Sequence, residues 1–175
     1  MLLSSPFSRS ANGEVARRRR VRGVLSTGLP LPRDPLCPAR MSHLDDILEE
    51  YEFLDADERY RLLIDLGRKL EAMPEALKTD ATLVRGCSAS VWVYPVAQAG
   101  DALHFLADSN AAITKGIVAL VLAAVQDRPA KVVAQTDIAA LLAPFDLKNQ
   151  LSSNRTQGVP NMIALVREHA ARIAG

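Results

Sequence analysis

One cysteine of this 175-residue chain stands where chemistry is possible. Cys87 falls in Arg85-Gly86-Cys87-Ser88-Ala89-Ser90, a run of small and polar residues set directly before the β-rich stretch Val91-Trp-Val-Tyr-Pro-Val96. Such a run reads as a loop. Gly86 frees the backbone for a tight turn, and the positive charge of Arg85 would favour the thiolate, the nucleophilic form of cysteine. Two readings of Cys87 stay open on these residues. Free cysteine is among the most buried residue types and commonly fills a core as a small hydrophobe. Its place in a glycine-serine loop, rather than on an apolar face, argues instead for a reactive thiol. Competing chemistries lose their support: the chain has no G-x-G-x-x-G, G-x-x-x-x-G-K-[ST], H-E-x-x-H, G-x-S-x-G or C-x-x-C motif. Among the remaining candidates, Trp92 reads as core beside β-branched neighbours and Lys115 as a solvated helix face. His104 and His169 read as structural or exposed, with no carboxylate visibly paired to either. Cys37 sits among prolines and is taken as incidental.

The elements that must position Cys87 follow from periodicity. Leu44, Ile47, Leu48 and Tyr51 recur at helical spacing, and Asp55-Ala-Asp57-Glu58 resembles a capping box opening a second helix. That helix should present Tyr60, Leu63, Ile64, Gly67 and Leu70 on one stripe and stop near Pro74. Between Ala89 and Ser109 the period shortens to two: Val91 to Val96, a turn at Ala99-Gly100-Asp101, then Leu103, Phe105 and Ala107 alternating with His104, Leu106 and Asp108. A β-hairpin is expected. Asp108-Ser109-Asn110 offers an N-cap to a helix from about 111 to 126, apolar nearly all round and therefore buried. Shorter helices punctuated by Pro129, Asp137 and Pro144 should follow. A final amphipathic helix carries Val159, Met162, Ile163, Val166, Ala170 and Ile173. Helices, then a small antiparallel sheet, then helices again describe an α+β domain with helices packed on one sheet face.

Composition sets the outer limits. With 49% hydrophobic and 23% charged residues the chain has material for a core. Its longest uncharged apolar run, Gly116 to Val125, is about half the roughly 20 residues that a bilayer requires. Two cysteines exclude a disulfide framework, and a reducing compartment is the default. Charge divides the chain unevenly: residues 1–40 hold eight arginines against Glu14 and Asp34, a net of +6, while 41–175 hold 13 basic and 18 acidic residues, a net of −5. The first forty residues, with five prolines and no periodicity, are expected to be a disordered leader; the domain is expected to occupy 41–175. Three readings compete for the leader: a stretch translated upstream of a true start at Met41 without a structural role, an organellar transit peptide, or an arm for anionic partners.

Three segments carry a family resemblance. Val84-Arg-Gly-Cys-Ser-Ala-Ser-Val-Trp92 resembles the V-x-G-C-x-S-x-V-W signature of the SufE family, the sulfur-acceptor partners of cysteine desulfurases in iron–sulfur cluster assembly. Ala107-Asp-Ser-Asn-Ala-Ala-Ile-Thr-Lys-Gly116 is similar to the family's A-D-S-D-A-x-I-x-K-G, and Leu151-Ser-Ser-Asn-Arg-Thr-Gln-Gly158 to its L-S/T-P-S-R-S-x-G, in family order. Asn110, Ser153 and Thr156 depart from the family's usual aspartate, proline and serine. The resemblance implies a SufE/IscU-like α+β fold from Leu44 to about Ala171. It also implies that Cys87 carries a persulfide received from a pyridoxal-phosphate-dependent, SufS-like cysteine desulfurase, which the protein activates. The chain is then a sulfur-transfer partner rather than a stand-alone enzyme. An iron–sulfur scaffold would lie downstream, and no cofactor, metal, nucleic acid or membrane is implied. Gly86, Arg85 and Arg155 would position the cysteine loop or the partner, and the cytoplasm is the expected location. Two alternatives stand beside this reading. One is a non-catalytic module that regulates a desulfurase or scaffold through its surface. The other, a cluster scaffold, needs several thiolates where 41–175 supply Cys87 alone.

Overall fold

The computed structural model describes residues 42–98 and 101–175. The expectations for the leader, Cys37 included, and for Ala99 and Gly100 lie outside the described residues. Helix α1 (Ser42–Phe53) buries Leu44, Ile47 and Tyr51 along one face. Helix α2 (Ala56–Arg68) opens on the expected capping box: the Glu58 amide donates to the Asp55 carboxylate at 2.9 Å, and the Asp55 amide donates to the Glu58 carboxylate at 3.1 Å. It ends at Arg68 rather than near Pro74, and Leu66 joins Leu63 and Gly67 on the buried stripe. The last turn tightens as the Lys69 amide reaches the Asp65 and Leu66 carbonyls. From there the chain leaves the helical axis, buries Met73 and carries Glu71 to the sheet.

The sheet is antiparallel, with strands in the order β1 (Val91–Ala97), β2 (Ala102–Ser109), β3 (Arg128–Pro129). The hairpin is in the expected place, in the register Val91 opposite Ser109 through Ala97 opposite Leu103. The third strand was not foreseen: two residues, one of them proline, carry no strand signal, and such a strand belongs at an edge. Along the other edge of the sheet the segment before the Cys87 loop pairs with β1, the Val84 amide donating to the Val91 carbonyl (2.8 Å) and the Val93 amide to the Thr82 carbonyl (2.9 Å). Val91, Val93, Leu103, Phe105 and Ala107 are buried; helix α3 (Ala112–Ala123) packs on β2 and helix α8 (Val159–Ala174) on β1. Leu106, expected on the polar side of β2, is buried as well.

Helix α3 is buried nearly all round, as its apolar composition requires, from Ile117 to Leu122. Its start differs from the expected cap. Ala111 is the N-cap residue and no side chain caps the helix, because Asp108 and Asn110 are engaged elsewhere and the Ser109 hydroxyl takes the Ala111 amide. The helix also stops at Ala123. Past its end the Gln126 amide still donates to the Leu122 carbonyl, while the Gln126 side chain pairs with the main chain of Phe105, accepting at 3.0 Å and donating at 3.1 Å. Short helices α4 (Ala130–Gln135), α5 (Ile138–Leu142), α6 (Leu147–Gln150) and α7 (Ser153–Thr156) lead to α8. Within α8, Met162, Val166 and Ala170 are buried, but Ile173 is exposed because the last turn runs past the core. The result is an α+β domain, and no described helix is long and apolar enough to cross a membrane.

Candidate functional site

The Cys87 loop is fastened at both ends. Strand-like pairing of Val84 with Val91 fixes its start. At its end the Ser90 amide donates to the Asn110 side-chain oxygen (3.0 Å), and the Asn110 amide donates to the Ser90 carbonyl (3.2 Å). Between these points Gly86 takes φ +81°, a left-handed conformation that glycine enters without strain. The turn aims Cys87 at the first turn of α8. There the free, half-buried thiol lies against Gly158, the N-cap residue of that helix. A β-carbon on Gly158 would overlap the Cys87 sulfur and come within 2.9 Å of the Cys87 β-carbon. The missing side chain is what makes room for the thiol.

Beside the sulfur is a small cavity of about 10 Å³, lined by Ser88, Thr114, Ile117, Gly158, Val159 and Met162 together with Arg155. That is close to the space one water-sized sphere occupies. Arg155 also borders the neighbouring open cleft of about 560 Å³, which runs from Ser88 over the start of α3 to Ser152 and Tyr60. Its guanidinium donates to the Tyr60 hydroxyl at 3.0 Å and lies 5.5 Å from the centre of that ring. Cys87 and Arg155, far apart in sequence, thus line one cavity. Arg85 contributes its backbone instead: its carbonyl accepts a hydrogen bond from the Asn161 side chain at 2.9 Å, while the residue itself is exposed.

Burial pushes the Cys87 thiol above its ordinary pKa. This is the reverse of the lowering expected from Arg85, whose exposed position leaves desolvation to decide the direction. Its seat therefore favours the protonated thiol over the thiolate. The remaining candidates also change character. Lys115 is not a solvated face: its ammonium pairs with Asp108 at 2.7 Å, and Asp108 also holds Lys78 at 2.7 Å. Trp92 is only partly buried, with the Lys78 ammonium 5.9 Å above its ring. His104 is paired after all, Nδ1 with Asp127 at 2.7 Å and Nε2 with Glu71 at 2.9 Å. His169 is half-buried, and burial lowers its pKa. Among the described residues no group of three or more histidine, cysteine, aspartate or glutamate side chains is placed to hold a metal ion.

Three residues at the site escaped the sequence reading. Gly158 closes the third family-like segment, and nothing local marks it as the seat of a thiol. Tyr60 reads as part of an apolar stripe. Asn161 has no sequence signal.

Known proteins resemble the chain in fold and in sequence. A solved structure of a hypothetical protein from Thermus thermophilus shares the fold, with a TM-score of 0.62 at 14% identity over 74% of this chain and 94% of that one. An uncharacterized SufE-like protein of Rhizobium meliloti is 36% identical over 135 residues, 74% of this chain and 96% of its own. The sulfur acceptor protein CsdE of Escherichia coli is 38% identical over 104 residues, 59% of this chain and 70% of its own. The sequence model of SufE, the Fe-S metabolism associated domain, matches residues 45–170, which include the Cys87 loop, the Asp108 segment and Gly158. The chain belongs to the SufE family.

Proposed function

We propose that this protein accepts sulfur on Cys87 from the persulfide of a pyridoxal-phosphate-dependent, SufS-like cysteine desulfurase, stimulates that enzyme, and hands the sulfur on for iron–sulfur cluster assembly. The observation that carries the reading is the seat of Cys87: a half-buried thiol on a glycine-turned loop, against Gly158, beside a cavity with room for about one more atom. Membership of the SufE family and similarity to a protein described as a sulfur acceptor give it direction.

The transfer is thiol exchange. The Cys87 thiolate attacks the outer sulfur of the donor's R–S–SH. A new S–S bond forms at Cys87, the donor's S–S bond breaks, and its electron pair stays on the departing thiolate R–S⁻. The outer sulfur keeps its proton, so Cys87 ends as Cys–S–SH and no external oxidant or reductant takes part. The open cleft beside Arg155 gives a donor loop an approach, and Arg155 supplies a cation there for the partner's thiolate or backbone. Gly86 and the Arg85 carbonyl hold the turn from which Cys87 swings. The cytoplasm, a reducing compartment, keeps such a thiol free.

The test uses the full chain with its cognate desulfurase and free cysteine. Intact mass should reveal one added sulfur, peptide mapping should place it on Cys87, and Cys87→Ser should acquire none and lose stimulation. Absence of the added sulfur, or stimulation that survives in Cys87→Ser, overturns the proposal.

A further inference from the structure

We propose that Asn161 is the latch of the Cys87 loop, a positioning residue that sets how often the thiol leaves its seat. The inference rests on the reading of Cys87 as the acceptor. Asn161 stands on the first turn of α8, three residues after the N-cap Gly158. One end of that turn lies under the Cys87 sulfur; from the other, the Asn161 amide donates to the Arg85 carbonyl at 2.9 Å. The contact is close to the loop backbone as well: a β-carbon on Gly86 would overlap the Asn161 nitrogen. The bond therefore grips the peptide unit immediately before the left-handed residue, at the entry to the turn that carries Cys87.

Position on the helix separates this role from a merely structural one. Asn161 is exposed, and its bond goes to another segment rather than to a group of its own helix. At the third helical position a carboxylate suits the positive end of the helix dipole, so Asn161→Asp should leave α8 intact or strengthen it. The same substitution removes the N–H donor and faces the Arg85 carbonyl with a second acceptor. Latch and helix thus respond in opposite directions to a single change of nitrogen to oxygen. A solvent-exposed neutral hydrogen bond is weak, which suits a contact that must open in every cycle.

The experiment needs no desulfurase. The full chain and its Asn161→Asp and Asn161→Ala variants are alkylated with iodoacetamide over a range of pH so that rates are compared at their alkaline plateau, label on Cys87 is followed by peptide mapping, and thermal stability is measured alongside. The expected result is a rate about 2- to 10-fold faster in both variants, the range opened by losing one such bond, with the midpoint of Asn161→Asp at or above that of Asn161→Ala. An Asn161→Asp rate equal to that of the unmodified protein overturns the proposal, and so does an Asn161→Asp midpoint below that of Asn161→Ala, which would mean general loosening rather than a lost latch. Because sulfur transfer is read separately by mass, loss of the latch and loss of the acceptor role give distinguishable results.

Discussion

At the thiol, the residue that matters most after Cys87 is one without a side chain. Gly158→Ala places a methyl where the Cys87 sulfur rests, and a helix N-cap has little freedom to retreat. Overpacking of this kind costs about 1–3 kcal/mol if the loop stays seated. If the loop lifts, that strain is relieved and the thiol enters water, where its pKa falls back toward the ordinary value and its thiolate fraction rises. We expect Gly158→Ala to alkylate at Cys87 several-fold faster and its persulfide to be reduced faster by small thiols. Unchanged reactivity and unchanged stability together would mean that the thiol does not rest on Gly158. Cys87 and Gly86 were legible in the sequence because a small polar run before a strand is a local signal. The seat was not, because Gly158 and Asn161 meet the loop only through the fold.

At the scale of elements, the site depends on where α3 and α8 stand, and α3 is set by its contact with α2. A β-carbon on Gly116 would overlap the Leu63 carbonyl oxygen, and one on Gly67 would come within 2.8 Å of the Gly116 nitrogen. The two helices touch backbone to backbone, so neither can yield by rotating a side chain. Gly116→Ala should therefore cost about 3 kcal/mol, the upper end of the range for overpacking, even though alanine is the better helix former by about 1 kcal/mol. Thermal denaturation checks it: a neutral or stabilising outcome would mean that the seam is looser than described. Thr114 and Ile117 line the cavity beside Cys87, so a displaced α3 should also change Cys87 alkylation. The elements themselves could be read locally. Asp55 and Glu58 announce the start of α2, and alternation from Val91 to Ala107 announces the hairpin. What escaped was each place where a long-range partner claims a side chain: Asp108 and Asn110 are taken by lysines and by Ser90 instead of capping α3, and Gln126 is taken by the main chain of Phe105.

Across the whole molecule, β2 works with both faces. Leu103, Phe105 and Ala107 point to the core, while His104 and Asp108, on the other face, staple the connection between α2 and β1 that delivers the Cys87 loop: His104 holds Glu71 as well as Asp127, and Asp108 holds Lys78 as well as Lys115. Their pH dependences run in opposite directions. Burial alone would raise the Asp108 pKa, but Lys115 and Lys78 outweigh it and hold the carboxyl at about 2, below its ordinary 3.8. A depressed acid stabilises the fold above its unfolded pKa and loses that contribution as pH falls through about 2; at 1.36 kcal/mol per unit this is at most about 2 to 3 kcal/mol, which solvent screening reduces. Burial alone would lower the His104 pKa, but Asp127 and Glu71 outweigh it and raise it above 6.5. A raised base contributes fully below its unfolded pKa and loses that contribution as pH rises through the folded value. Stability should accordingly be highest between these limits. Denaturant titrations from about pH 2 to about pH 8 should find that Asp108→Asn is weaker than the unmodified protein near pH 5 but converges with it at the acid end. His104→Gln should lack the decline above pH 6.5 that the raised His104 pKa predicts for the unmodified protein. A His104→Gln curve that still falls through neutral pH with undiminished slope would place the titrating group elsewhere and leave His104 without its part in holding the connection to the thiol loop.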